Sequence, residues 1–203
     1  MRKIQKQSIP QLCGIYHNVV WTITPRPVWI IGTGNEDGSP NLSTITCVSN
    51  TPGPPENIIV SMAAKRTVAN IQRTRVFSVN LANVEMAPFA DYVGSISGEN
   101  GPKDAMPYGF EWGEKAHVPV LDASHCVFEC KLSHTHVIGD FYTFFGEVVN
   151  LHIDESLTPN MESHEALFKW FKSIDIHKMD PLVYHSVLRY FHVGKKVEAI
   201  KQT

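Results

Sequence analysis

The chain has 203 residues, 43% apolar and 19% charged, with 18 Lys and Arg against 20 Asp and Glu. That describes one globular domain with apolar mass for its own core, and a net charge of -2 sets up no field that would gather nucleic acid. No stretch is long and apolar enough for a membrane helix, and the basic Met1-Arg2-Lys3 start leads into no secretory apolar region, so a cytoplasmic protein is expected.

In chain order, Val28-Trp29-Ile30-Ile31-Gly32-Thr33 is a β-branched and aromatic run that stops at Asn35-Glu36-Asp37-Gly38-Ser39. Leu42-Ser43-Thr44-Ile45-Thr46-Cys47-Val48 follows at once, so a hairpin around Asp-Gly is predicted. Asn57 to Met62 and Val76 to Leu81 read as two further strands. Between them Lys65 to Thr74 reads as a short helix, capped by Thr67 and turning Val68 and Ile71 inward. Met86, Phe89, Ala90 and Val93 recur at i, i+3, i+4 and i+7, a second helix with Pro88 in its first turn.

Gly94 to His117, rich in Gly, Pro and charge, reads as a long loop that covers a site. Strands resume over His125 to Leu132, Thr135 to Ile138 and Phe141 to Ile153. Thr158-Pro159 is a start signal for a helix whose stripe is Ala166, Leu167, Trp170, Phe171 and Ile174. Leu182 to His185 and Arg189 to Val193, parted by Ser186-Val187-Leu188, are the last elements. Many strands, few helices and no linker predict one closed or nearly closed antiparallel barrel.

Lys65-Arg66-Thr67 is the strongest local signal, two cations and a hydroxyl at a helix start, where backbone N–H groups and the helix dipole favour an anion. The hydroxyl-rich strand Asn41 to Thr46 offers more donors, and no Walker loop exists. Two readings stay open from these residues alone: a phosphate cradle, or a solvated helix cap.

Taken together, Thr24-Pro25-Arg26-Pro27-Val28, the Asp37-Gly38 turn with Pro40-Asn41-Leu42-Ser43-Thr44, Pro54-Pro55, Lys65 to Ile71, and Phe77-Ser78-Val79-Asn80 form an ordered set. It continues through Pro119-Val120-Leu121, Phe128-Glu129-Cys130, Ile138-Gly139-Asp140, Phe145-Gly146-Glu147-Val148 and Pro181 to His185. The set resembles the flavin reductase-like, FMN-binding split-barrel family, its flavoredoxin-like branch above all, over roughly residues 20 to 195 of a single domain spanning 1–203. The resemblance implies a mainly β fold, a six-stranded antiparallel split β-barrel with a few peripheral helices. It also implies a homodimer with FMN at the subunit interface and electron transfer through the flavin. NADH or NADPH would be the donor, and free flavin or a redox protein the acceptor.

The same resemblance makes Ser43, Thr44, Ile45 and Thr46 the strand along the flavin and its ribityl chain, with Ser49 near its end. Lys65, Arg66 and Thr67 would hold the phosphate, assisted by Asn70. Arg26 and Trp29 would border the ring, although Trp29 is equally a core or interface residue. Many NAD(P)H-using members carry Gly-Asp-His where this chain reads Gly139-Asp140-Phe141. Phe141 exchanges no proton, so an electron carrier that does not itself oxidise NAD(P)H is the alternative. No side-chain acid, base or nucleophile is assigned, because the flavin carries the chemistry.

His134 and His136 share one side of a strand with no third ligand at an obvious spacing, so no metal site is expected. His185 and His192 read as surface or interface residues, with a neighbouring flavin in a dimer as the other possibility for His185. Phe168, Trp170 and Phe171 read as helix packing. Without a basic strip beside them, no nucleic-acid partner is expected. Cys13, Cys47, Cys126 and Cys130 include no C-x-x-C pair, and they read as reduced thiols.

Overall fold

The Asp-Gly turn forms the expected hairpin. Gly38 has φ 81°, a region that a side chain would strain. The Asn35 N–H donates to the Ser39 carbonyl at 2.9 Å, and the Asp37 carboxylate accepts from the Ser39 N–H at 2.9 Å and its hydroxyl at 2.6 Å. These bonds keep the Asp37 pKa below the ordinary carboxylate value, and Arg66 adds a smaller pull in the same direction. The strands so joined pair with Ile31 opposite Ser43 and Thr33 opposite Asn41.

The computed structural model describes residues 24–96, 107–158, 163–185 and 190–194. Its strands are β1 (Arg26–Pro27), β2 (Trp29–Gly34), β3 (Pro40–Ile45), β4 (Val48–Asn50), β5 (Asn57–Ala63) and β6 (Val76–Leu81). After them come β7 (Phe110–Trp112), β8 (Pro119–Leu121), β9 (Cys126–Ile138), β10 (Phe141–Ile153), β11 (Val183–Tyr184) and β12 (Tyr190–Phe191). The helices are α1 (Arg66–Thr74), α2 (Ala87–Ser95), α3 (His164–Ser173) and α4 (Ile176–Met179).

The main sheet is antiparallel in the order β3-β2-β6-β9-β10-β5-β4. Only Thr46 and Cys47 separate β3 from β4, yet the two lie at opposite edges. A single bent segment therefore pairs with β2 in its first half and β5 in its second, which curls the sheet upon itself. Counted as one strand, β3 and β4 make the barrel six-stranded. The Ser61 N–H, donating to the Cys47 carbonyl at 2.9 Å, carries the pairing through the bend.

The interior is apolar: Ile31, Ile45, Val60, Met62, Phe77, Val79, Cys130 and Phe144 cluster there with Val68 and Ile71 of α1. Full burial of each large side chain contributes about 1.5–3 kcal/mol. Gly146 is required by this packing, since a Cβ there would stand 2.8 Å from the Cys130 Cβ and the Phe77 ring. On the outer face, Ile30 and Leu42 meet Phe89, Ala90 and Val93 of α2 and Leu182 and Tyr184 near the C-terminus.

A strap made of β7 and β8, paired Phe110 to Leu121 and Trp112 to Pro119, crosses the same outer face. Buried polar side chains pin it. The Ser78 hydroxyl donates to the Pro119 carbonyl at 2.5 Å, the Asn80 carboxamide accepts from the Leu121 N–H at 2.9 Å, and Glu129 accepts from the Lys115 and Ala116 N–H groups at 2.9 and 2.7 Å.

Several expectations need correction. Lys65, extended at φ -167° and ψ 176°, occupies the N-cap of α1; Thr67 is buried inside the first turn, its hydroxyl accepting from the Asn41 amide at 3.0 Å. The expected loop from Gly94 to His117 begins within α2 and contains β7, while residues 97–106 of it lie outside the described ones. The stretches ending at Leu132 and starting at Thr135 are one strand with a register shift opposite Phe145 and Gly146. Ser163, accepting from the Ala166 N–H at 3.1 Å, caps α3 in place of Thr158. Trp170 is buried, but Ile174 lies past the helix end and is 38% exposed. Cys13, Pro159, Ser186 to Arg189, and the side chains of Leu167, Phe168 and Phe171 fall outside the described residues.

Candidate functional site

The site grows from the start of α1. This nine-residue helix has no side-chain cap and no acid in its first turn, so its own first turn supplies no negative partner to the N–H groups there. Lys65 stands at the N-cap and donates from Nζ to the Ser43 hydroxyl of β3 at 2.6 Å. Arg66 follows, within electrostatic reach of Asp37 in the hairpin turn. Lys65, bonded to the Ser43 hydroxyl, thus stands at an uncapped helix terminus with Arg66 as the next residue. A donor set of this kind is chemically suited to an anion such as a phosphate.

Three residues past Ser43 the strand bends. Thr46 sits in the bend, 8% exposed, and its hydroxyl has no hydrogen-bond partner among the described residues. Cys47 comes next, half-buried and not in a disulfide. Arg26 of β1 pairs in register with Tyr184 of β11 and lies within electrostatic reach of both Tyr184 and Cys47. Burial lowers the Arg26 pKa, and these two neighbours oppose that shift. The β1–β11 pair thus places a partly desolvated cation within electrostatic reach of the bend.

Other expected residues are committed elsewhere. The Thr44 hydroxyl donates to the Ala90 carbonyl at 2.5 Å on the outer face, and Ile45 is a core residue. The Trp29 ring packs on the interior, 6.1 Å from Phe128, the core reading left open from its sequence. Thr67 and Asn70 belong to a scaffold network. Asn41 donates to Thr67 and to Thr33, both at 3.0 Å, while Asn70 donates to Thr33 at 3.1 Å and to Asn35 at 2.9 Å. This network fixes α1 over the hairpin and so aims Lys65. Ser49 lies exposed on β4 opposite Ile59.

Sequence reasoning placed Asn41 in the donor-bearing strand without a separate role, and assigned no site role to Thr33, Cys47 or Tyr184. Asn41 carried a signal, a carboxamide two residues before Ser43 in the strand. The pairing of Arg26 with Tyr184 had none, since it joins residues far apart in the sequence. Phe141 begins β10 opposite Ala63 and is 44% exposed. The Ala64 N–H donates to the Asp140 carbonyl at 3.1 Å, which holds the Asp140-Phe141 turn beside the start of α1.

Residues 21–190 match the family model of the flavin reductase like domain. A protein of Methanothermobacter thermautotrophicus, described as uncharacterized, is 30% identical over 173 residues, covering 80% of this chain and 75% of its own. Flavoredoxin from Methanosarcina acetivorans aligns with a TM-score of 0.77 and 26% identity, over 98% of this chain and 95% of that one. An FMN-binding protein from Thermus thermophilus with bound p-hydroxybenzaldehyde shares the fold, with a TM-score of 0.74 and 21% identity over 98% of this chain and 100% of that one.

Proposed function

The chain belongs to the flavin reductase like domain family, and from that membership we propose that it binds FMN and works as a flavin-dependent oxidoreductase. It relays electrons from NADH or NADPH to free flavin or to a redox protein, as a homodimer. The carrying observation is the uncapped, acid-free start of α1 with Lys65 bonded to Ser43. A phosphate monoester brings about -1.5 to -2 charge, and this donor set suits it.

In this reading Lys65 and Arg66 neutralise the phosphate and Thr67 adds a backbone N–H. Asn70 acts indirectly, by fixing the helix. The Ser43 to Thr46 strand runs along the ribityl chain and ring, Thr44 and Ile45 through backbone groups alone. Arg26 lies at the ring edge, Trp29 backs it from the core, and Ser49 forms the outer rim. Bound FMN supplies the electron chemistry itself, accepting a hydride and releasing electrons singly or in pairs. The protein fixes the phosphate, excludes water from one side of the ring and sets a cation, Arg26, near it.

Phe141 favours a second reading, an electron carrier reduced by another protein. An exposed phenyl beside α1 neither donates nor accepts a proton, and it offers apolar surface to a partner.

Lys65→Ala combined with Arg66→Ala is expected to weaken FMN binding more than about tenfold, roughly 1.4 kcal/mol, measured by fluorescence titration. A smaller change overturns the cradle. Anaerobic NADH, then NADPH, added to the flavin-loaded protein separates the two readings: rapid loss of flavin absorbance supports the reductase, and persistent colour supports the carrier.

A further inference from the structure

The two halves of β9 have different surroundings. From Val127 to Lys131 the strand lies between β6 and β10, and the Leu132 N–H ends that run by donating to the Arg75 carbonyl at 2.8 Å. Beyond it β10 continues alongside, with His134 opposite Phe145, His136 opposite Thr143 and Ile138 opposite Phe141. No strand among the described residues pairs with the other edge of Ser133 to Ile138. Alternate N–H and C=O groups along that edge therefore point away from the sheet.

A bare edge is a template for another strand, and chains that keep one exposed guard it with Lys, Pro or a bulge. Ser133-His134-Thr135-His136-Val137-Ile138 contains no Pro and no Asp, Glu, Lys or Arg, and the register shift lies at its start rather than within it. The tip is apolar and open: Val137 is 49% exposed, Ile138 67% and Phe141 44%. These features choose the occupant. A transient redox protein is steered by charge, and this stretch carries none. Interfaces between identical chains are more apolar and poor in charge at their core. An antiparallel edge is also its own complement under a two-fold axis, the N–H groups of one copy meeting the carbonyls of the other.

We propose that the outer edge of β9, residues 133–138, is the seam between two copies of this chain, paired antiparallel so that the main sheet runs on from one copy into the next. The proposal rests on the homodimer reading above and says where that dimer is built. Rotation about an axis normal to the sheet keeps every side chain on its own face. A seam centred on the stretch therefore sets either Thr135 or His136 opposite itself in the second copy, about 4.5–5.5 Å apart between Cα atoms, within disulfide reach. In both registers His136 meets a histidine of the second copy.

The experiment measures the mass of the FMN-loaded protein in solution by light scattering over a dilution series. Wild type is expected to be a dimer. His134→Lys combined with His136→Lys puts like charges opposite one another in either register and should raise the dimer dissociation constant more than about tenfold. Thr135→Cys and His136→Cys, made one at a time, should give one variant that forms a covalent dimer under mild oxidation where wild type forms none. The cysteines read contact directly, so they decide the matter even where the lysines disturb folding. A dimer that tolerates both lysines overturns the proposal, as do two cysteine variants that cross-link no more than wild type. Monomeric wild type overturns the homodimer reading itself and this inference with it.

Discussion

Two places in this molecule gather donors around a point where negative charge belongs, one beneath the strap and one at the start of α1. Beneath the strap, Glu129 is fully buried and accepts from the Lys115 and Ala116 N–H groups, from the Asn150 carboxamide and from His152, all within 2.7–2.9 Å. Gly113 passes so close that a Cβ there would lie 2.5 Å from the carboxylate. At the start of α1 the donors are comparable, but among the described residues the helix has neither a side-chain cap nor an acid in its first turn. Both regions are polar and both lie against β-sheet. What distinguishes scaffold from site is whether the protein fills its own charge requirement.

The largest expected effect tests the filled region. Because every partner of Glu129 is a donor, Glu129→Gln turns an amide NH2 against one of them. A loss of about 3 kcal/mol at neutral pH is expected in urea denaturation. Burial by itself would raise the Glu129 pKa, but the bonds from Asn150, His152, Ala116 and Lys115 hold it below the ordinary value. Asp154 is held at about 2, chiefly by its bonds with Ser156 and then by His125. In both cases the unfolded chain takes up a proton more readily than the folded one. Their stabilisation is therefore present above the ordinary carboxylate pKa of about 4 and is lost as pH falls through their lowered folded values, which for Asp154 means toward about 2. Wild type should show that acid limb, and Glu129→Gln should flatten it; an unchanged limb removes Glu129 from the argument.

A middle effect tests the frame that aims the open region. Asn70→Ala deletes the donor shared by Thr33 and Asn35, leaving the fully buried Thr33 with one fewer partner. About 2 kcal/mol of stability should be lost. FMN affinity should fall along with it, since α1 then holds Lys65 less firmly. Lost stability with unchanged affinity would detach the network from the site.

Much of this was legible in the residues. Local chemistry wrote the β2–β3 hairpin through Asp37-Gly38, the inward faces of α1 and α2 through their spacing, and Lys65-Arg66 through charge beside a helix start. Non-local pairing hid the rest. The strap strand Phe110–Trp112 sits in a Gly- and Pro-rich stretch and exists because Ser78, Asn80 and Glu129 reach out to its neighbourhood from distant strands. Thr67 looks like a cap until the buried Asn41 amide, 26 residues away, claims its hydroxyl. Thr158 looked like a start signal for α3, and Ser163 took the position. Within the site, the hydroxyl-rich strand was visible, but alternation divides its hydroxyls between the two faces of the sheet, and only the three-dimensional partners say which ones remain to be used.

Thr44 and Thr46 make that division measurable at the smallest scale. They are two residues apart and chemically identical, and the resemblance gives both the same role. Thr44 spends its hydroxyl on the Ala90 carbonyl of α2, with the Cβ position of Gly94 only 3.2 Å from its own Cβ. Thr44→Val therefore removes a made bond and leaves the carbonyl short of a partner. It should cost about 1 kcal/mol of stability and change flavin affinity less than about twofold. Thr46→Val should do the reverse on both measures. If the two variants move melting temperature and affinity in the same direction, partner accounting fails to separate site from scaffold on this strand; opposite directions mean that the unpaired hydroxyl is kept for the ligand.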